Sequence, residues 1–189
     1  MEREIEVKLL GLDNELIEER LKSLGAELIA DEEQENIRIN SSHHPIDSKK
    51  GGYLRIRKTK DLINKKEIIY LTFKKHISDE SVRENIEYTS IIDNPDDLIN
   101  IFKSLDYDIY DTGYKKRRSY LYKNMRFDFD SWDKNTYPDP FIEVEFENKE
   151  EFYKILDELK VDKSAISTLS IAELKKLYKN SMTHWLNML

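Results

Sequence analysis

The sequence contains no cysteine among its 189 residues, and this absence removes two classes of site. Neither a disulfide framework nor a thiolate metal centre can form. Histidine is scarce as well, and His43 and His44 are adjacent in a loop-like run with no other histidine nearby in the sequence. We interpret this pair as part of a solvated turn rather than as a zinc site.

Long apolar runs and flexible linkers are also missing. No apolar run approaches the roughly 20 residues that a membrane span needs, and the N-terminus lacks a basic-then-apolar signal pattern. We therefore expect a cytoplasmic, soluble protein with no membrane partner. No stretch rich in proline, glycine and serine divides the chain, so residues 1–189 are predicted to form a single domain. The net charge of -7 argues against a general nucleic-acid binder.

A short segment near the N-terminus alternates charged and apolar residues. In the run Glu4-Ile5-Glu6-Val7-Lys8, a strand would place Glu4, Glu6 and Lys8 on one face and the apolar residues on the other. Two carboxylates spaced in this way, next to an ammonium group, suit a hard divalent cation with an anionic ligand beside it. Alone this is a weak signal, because a solvated strand face shows the same pattern.

The same alternation recurs in later segments, where arginine pairs with arginine and glutamate with glutamate. The polar positions are Arg55 and Arg57; Thr72 and Lys74; Arg83, Asn85 and Glu87; Lys115 and Arg117; Arg126, Asp128 and Asp130; and Glu143 and Glu145. A water-facing surface would carry more serine, threonine and glutamine. We predict an α+β, mainly β fold: a closed antiparallel β-barrel of about eight strands that forms a charged tunnel, with helices packed outside.

Amphipathic segments predict four helices that cover the barrel. Their expected starts are Asp13, Asn94 with Pro95, Asn148 with Glu151, and Ser170 with Glu173. The stripes expected to be buried are Leu16, Ile17, the stem of Arg20, Leu21 and Leu24; Leu98, Ile101, Phe102 and Leu105; Phe152, Ile155, Leu156 and Leu159; and Leu174, Leu177 and Tyr178. The tail from about residue 180, which includes Trp185, is left open as a docked end, a dimer contact or a flexible end.

Taken in order, the charged segments resemble the CYTH superfamily, the triphosphate tunnel metalloenzymes, which include class IV adenylate cyclases, thiamine triphosphatases and inorganic triphosphatases. The resemblance rests on Glu4-x-Glu6-x-Lys8, Arg55-Ile-Arg57, Lys74, Arg83 with Glu87, Lys115-x-Arg117, Asp128-Phe-Asp130-Ser-Trp132 and Glu143-Val-Glu145. Glu-x-Glu-x-Lys alone is common, whereas the ordered set is specific and spans nearly the whole chain. The sequence departs from the family at Asn85, where many relatives carry an acid, and at Arg38, where many carry an aromatic residue.

The resemblance implies a triphosphate substrate held with Mg²⁺ or Mn²⁺ in the tunnel, and charge sorts the candidate residues by role. The predicted metal ligands are Glu4, Glu6, Asp130, Glu143 and Glu145. The predicted triphosphate-binding residues are Lys8, Arg55, Arg57, Lys74, Arg83, Lys115, Arg117 and Arg126. The predicted catalytic residues are Lys8, Arg57 and Glu87.

Some of these assignments have alternatives. Glu87 and Asp128 are ambiguous acids, each of which could orient a basic residue or position water. A register slip of one residue would turn Lys116 and Arg118 inward in place of Lys115 and Arg117. A lumen whose acids and bases only neutralise one another is the alternative without a ligand.

Two reactions are open to this set of charges. In a triphosphatase, water attacks the terminal phosphorus, and diphosphate or a diphosphate ester leaves. In a class IV-type adenylate cyclase, the ribose 3′-hydroxyl attacks the α-phosphorus of ATP, and pyrophosphate leaves. Because no nucleotide-specific motif is present, we rank hydrolysis of tripolyphosphate, thiamine triphosphate or ATP first and keep the cyclase as the alternative. A module that binds polyphosphate without turnover would need an incomplete set of acids, and a homodimer is left open.

Overall fold

A computed structural model describes residues 2–46 and 51–186 of the chain, with the backbone alone for Glu2 and for residues 179–186. Within these residues lie nine β-strands and four α-helices. The strands are β1 (Glu2–Leu9), β2 (Glu27–Asn40), β3 (Tyr53–Asp61), β4 (Lys66–Ser78), β5 (Arg83–Ile91), β6 (Ile109–Tyr122), β7 (Met125–Trp132), β8 (Phe141–Glu145) and β9 (Ile166–Ser167). The helices are α1 (Asn14–Ser23), α2 (Pro95–Ser104), α3 (Lys149–Glu158) and α4 (Ile171–Leu186).

Eight of the described strands close into an antiparallel barrel, as the sequence predicts. Their order is β5-β4-β3-β2-β6-β7-β8-β1, and β1 also pairs with β5, which joins the two ends of the sheet. The closing register places Glu6 opposite Arg83 on β5, and on the other edge of β1 it places Glu6 opposite Glu145 on β8. The short strand β9 pairs with the last residues of β1, beyond the end of β5.

The period of two along each strand separates a polar lumen from an apolar exterior. On β6, Lys115 and Arg117 are buried, whereas Lys116 and Arg118 are exposed. The register slip considered for this strand therefore does not occur. On β3, Arg55 is buried in the lumen while Ile56 belongs to the apolar core outside.

Apolar cores lie between the barrel exterior and the helices, as expected for the covering helices. The largest core joins residues of β1, β7 and β8, such as Val7 and Phe127, to Ile17 and Leu21 of α1 and to residues of α3. All four predicted stripe residues of α3 are buried. The predicted caps are confirmed: Asp13, Asn94 and Asn148 each accept a backbone N–H of the first turn, and Ser170 and Glu173 bond reciprocally.

Three of the predicted helix stripes are partly wrong. On α1, Leu16 and the C-cap Leu24 are exposed, because only the row of Ile17 and Leu21 meets the barrel and the neighbouring buried position belongs to Glu18. On α2, the contact row runs through Leu98, Ile99 and Phe102, so Ile101 and Leu105 turn to solvent. On α4, Leu174 is buried, whereas Leu177 and Tyr178 are exposed.

The C-terminal segment packs against residues at the adjoining ends of β7 and β8. Trp132 and Phe141 follow the inward parity of β7 and β8, and they pack with Tyr137 and with Leu174 of α4. The backbone of α4 continues to Leu186, and the contacts proposed for Trp185 lie outside the described side chains. None of the helices in the described part of the chain is long and apolar enough to cross a membrane.

Candidate active site

Three carboxylates meet in the lumen at the seam between β1 and β8. Glu4 and Glu6 lie two residues apart on β1 and therefore share its inward face, and the strand register places Glu145 directly opposite Glu6. One oxygen from each side chain lies within 4.8 Å of the others. The chain thus brings together three of the five metal ligands predicted from the sequence.

The electrostatics of this cluster suit a divalent cation. Burial raises the pKa of Glu145 to about 8, and the nearby charges of Asp128 and Glu4 add to the rise against the opposing charge of Arg126. Burial likewise raises the pKa of Glu4, although Lys74 opposes the shift. Crowded carboxylate oxygens are the donors that a hard cation such as Mg²⁺ or Mn²⁺ prefers.

Lys74 connects this cluster to the rest of the lumen. Its ammonium lies 2.6 Å from Glu4, 3.1 Å from Glu6 and 3.2 Å from Glu87. Burial disfavours the charged ammonium, yet the carboxylates, Glu6 foremost, raise the pKa of Lys74 well above its usual range. Lys74 is therefore a stable positive charge that connects Glu87 to the three-carboxylate cluster.

A second group of acids is already neutralised by lysine and arginine. Arg117 donates to Asp130 from two nitrogens, at 2.6 and 2.7 Å, and to Glu143 at 2.8 Å, and it also pairs with Asp128. Lys8 lies 2.9 Å from Glu143. Burial opposes ionisation of Glu143, but Lys8 and Arg117 hold its pKa well below the usual range. The structure thus places Asp130 and Glu143, both predicted metal ligands, in ion pairs outside the three-carboxylate cluster.

The remaining predicted binding residues also line the lumen. Lys115 lies 2.9 Å from Asp130, and burial together with Arg117 lowers its pKa to about 7. Arg126 donates to Asp128 at 2.8 Å. Arg83 donates to the backbone carbonyl of Thr168 at 3.0 Å and lies 3.8 Å from both Glu6 and Glu173.

Two arginines differ from all of these because they form no ion pair with any described residue. Arg55 is buried, its Nε has no hydrogen-bond partner in the described chain, and its guanidinium lies 5.6 Å from the centre of the Tyr53 ring. Arg57 donates from Nε to Asn36 at 3.1 Å. Burial lowers the pKa of Arg57 to about 10, and the charges of Arg55 and Arg117 contribute. Among the described residues, these two guanidinium groups therefore have no directly paired anion.

Sequence reasoning missed the neutral polar residues of the lumen. Gln34, Asn36 and Thr59 are all buried, and each has the inward parity of its strand. Their signal was the alternation itself, since Gln34 and Asn36 continue the inward row of Arg38 on β2. The charged residues at neighbouring positions gave a stronger pattern than these neutral residues.

This combination of a closed barrel, an acidic cluster and an arginine-lined lumen agrees with the comparison with known proteins. The family model of the CYTH domain matches residues 2–173. The chain belongs to the CYTH family. No curated protein sequence shows significant similarity to it.

Solved structures of other CYTH-like barrels resemble this one along nearly their whole length. The PH1819 protein of Pyrococcus horikoshii OT3 is 26% identical, with a TM-score of 0.73 over 93% of this chain and 99% of that chain. The PH1012 protein of the same organism is 24% identical, with a TM-score of 0.74 over 90% and 98%. HpAC1 from Hippeastrum, an adenylyl cyclase candidate with a dominant triphosphatase activity, is 16% identical, with a TM-score of 0.64 over 93% and 96%.

Proposed function

We propose that this CYTH protein hydrolyses the terminal phosphoanhydride bond of inorganic or organic triphosphates in a metal-dependent reaction inside the barrel. The observation that carries the proposal is that Arg55 and Arg57 line the lumen and form no ion pair with any described residue. A buried cation without a partner is costly, because it loses solvation without regaining it from an anion. A triphosphate would supply those anions, since arginine binds phosphate oxygens bidentately.

Glu4, Glu6 and Glu145 are the residues that we assign to the metal. A divalent cation held by them would neutralise charge on the phosphate oxygens when it is bound. We reassign Asp130 and Glu143 from metal ligands to positioning residues, because they lie outside the three-carboxylate cluster and share one guanidinium nitrogen of Arg117 as a hydrogen-bond donor.

The basic residues divide into two groups in this proposal. Arg55 and Arg57 bind phosphate directly, whereas Lys8 is held at 2.9 Å from Glu143 and adds positive charge where negative charge develops. Glu87, for which the sequence allowed either a role in orienting a basic residue or a role in positioning water, orients Lys74 in this proposal.

In the reaction, the water oxygen bonds to the terminal phosphorus as the phosphoanhydride bond breaks. Diphosphate or its ester leaves with the bonding electron pair, and the proton of the water passes to solvent.

One structural relative with a stated activity favours hydrolysis over cyclisation. HpAC1 combines a cyclase-like family assignment with a dominant triphosphatase activity, and its barrel resembles this one. The experiment is a substrate panel of tripolyphosphate, thiamine triphosphate and ATP with Mg²⁺ or Mn²⁺, in which phosphate and cyclic AMP are both measured. Phosphate release that stops in a chelator is the expected result. Cyclic AMP and pyrophosphate in equal amounts from ATP, with little phosphate from tripolyphosphate, would replace hydrolysis by the cyclase alternative.

A further inference from the structure

A row of lumen residues crosses four neighbouring strands next to the unpaired arginines. Thr59 on β3 is in register with Gln34 on β2, Gln34 with Lys115 on β6, and Lys115 with Trp132 on β7. Asn36 lies one inward position further along β2, opposite Arg57. Apart from Lys115, the members of this row are uncharged, which distinguishes them from the ion-paired residues around them.

The uncharged members have polar atoms without partners. Gln34, Asn36 and Thr59 are exposed by only 3%, 2% and 6%. In the described chain, Gln34 Oε1, Asn36 Nδ2, Thr59 Oγ1 and the indole nitrogen of Trp132 have no hydrogen-bond partner. Leaving such a group buried and unpaired costs about 1–3 kcal/mol. Several such atoms in one row need partners that the described chain does not supply.

The orientation of both amides is fixed by their charged neighbours. Gln34 donates from its amide nitrogen to the Glu32 carboxylate, which leaves Oε1 as its free atom. Asn36 accepts from Arg57 through Oδ1, which leaves its amide nitrogen free. Since a carboxylate cannot donate and a guanidinium cannot accept, reversing either amide would break these bonds. The row therefore offers one acceptor, two donors and one hydroxyl.

This set does not match a phosphate chain. An ionised phosphate presents acceptor oxygens only, so it cannot satisfy Gln34 Oε1. The missing partner must carry at least one N–H or O–H donor as well as an acceptor. A cavity of about 520 Å³ touches Gln34, Lys115 and Trp132 at its edge, and most of the residues that line it, such as Glu35, Lys60 and Lys116, belong to the outward face of the same strands.

We propose that Thr59, Gln34, Asn36 and Trp132 form a subsite for the organic group of an organic triphosphate, a group with both a hydrogen-bond donor and an acceptor. The inference rests on the proposed function, because it places this group beside a phosphate chain held by Arg55 and Arg57. Asn36, which bonds to Arg57, links the two parts of the site.

The test compares kcat/KM for ATP and for thiamine triphosphate with kcat/KM for tripolyphosphate. The variants are Thr59→Val and Gln34→Leu, each of which removes an unpartnered polar atom. Thr72→Val is the matched control, because Thr72 is also buried in the lumen but its hydroxyl already bonds to Thr89 at 3.0 Å. If Gln34→Leu does not fold, the nearly isosteric Thr59→Val carries the test.

For at least one organic triphosphate, we expect its kcat/KM relative to tripolyphosphate to fall at least tenfold in Thr59→Val and in Gln34→Leu, and to stay within threefold in Thr72→Val. Unchanged ratios for both organic substrates, or an equal loss with tripolyphosphate, would overturn the subsite. If the wild-type protein hydrolyses no triphosphate, the proposed function fails. In that case, calorimetric Kd values for ATP, thiamine triphosphate and tripolyphosphate replace kcat/KM in the same comparison of variants. The same outcomes then decide the subsite.

Discussion

Glu6 and Glu145 stand directly opposite each other across β1 and β8, with their carboxylates turned into the same lumen and Glu4 beside them. Two ionised carboxylates in directly opposite strand positions repel each other, and burial already raises the pKa of Glu145 to about 8. A divalent cation between them would remove that penalty, and the sheet would then gain stability on binding.

The substitution Glu6→Gln tests this metal assignment. Mn²⁺ should raise the melting temperature of the wild-type protein, and Glu6→Gln should remove most of that rise because one of the three oxygen donors loses its charge. Hydrolysis should fall at least tenfold, about 1.4 kcal/mol of barrier. Glu35→Gln is the control, since Glu35 has the outward parity of β2 and pairs with Lys58 at 3.2 Å. An undiminished response to Mn²⁺ in Glu6→Gln would contradict the assignment.

Arg57→Ala should separate activity from stability. Arg57 forms no ion pair with an acid of the described chain and is repelled by Arg55 and Arg117, so its removal should leave the free energy of unfolding unchanged or raise it. The kcat/KM for tripolyphosphate should fall at least tenfold, because a phosphate contact is lost. Lys60→Ala is the matched control on the same strand, where Lys60 is exposed and lies 3.7 Å from Glu33. Equal losses of activity in both variants would show that Arg57 does not bind phosphate.

Arg117→Ala, unlike Arg57→Ala, should lower the free energy of unfolding. Its loss leaves Asp128, Asp130 and Glu143 without their shared partner, and breaking such a buried pair costs about 3–5 kcal/mol. Chemical denaturation should show this loss in the absence of any substrate. Arg118→Ala, next along β6 but exposed, should cost less than about 1 kcal/mol. Similar stability of the two variants would mean that the acids around Arg117 are neutralised by other groups.

Glu18 provides a pH-dependent test away from the site. Burial acts to raise the pKa of Glu18, but hydrogen bonds from Lys22 and Tyr120 and the charge of Arg118 lower it below 4.5 overall. A carboxyl with a lowered folded pKa stabilises the fold above its unfolded pKa and loses that contribution as the pH falls through its folded pKa. The stability difference between wild type and Glu18→Gln should be largest near pH 7 and shrink below pH 4.5. A difference that does not change with pH would exclude a charged Glu18.

Much of the barrel could be predicted from the sequence because its signal is local. Alternation on β1, β3 and β8 fixes which residues face inward, and a lumen is the one environment that buries a whole charged face. The caps were equally local, since Asp13 and Asn148 need only the backbone of the next turn. Exposure of Leu16 and Ile101 was not predictable, because it depends on how each helix rotates against the barrel.

The division of the acids within the lumen lay beyond sequence reasoning for a similar reason. Glu143 and Glu145 are two residues apart on one inward face, and nothing local distinguishes them. The strand register distinguishes the two glutamates, because Glu143 lies opposite Lys8 whereas Glu145 lies opposite Glu6. The neutral row of Gln34 and Thr59 depends in the same way on pairing between strands.

The most direct measurement is a crystal structure of the protein with Mn²⁺ and tripolyphosphate, with the metal located by anomalous scattering. The account predicts a Mn²⁺ peak coordinated by Glu4, Glu6 and Glu145, and phosphate oxygens in hydrogen-bond contact with Arg55 and Arg57. The ion pairs of Asp130 and Glu143 should persist. A Mn²⁺ peak on Asp130 and Glu143, or a phosphate chain bound outside the lumen, would contradict it.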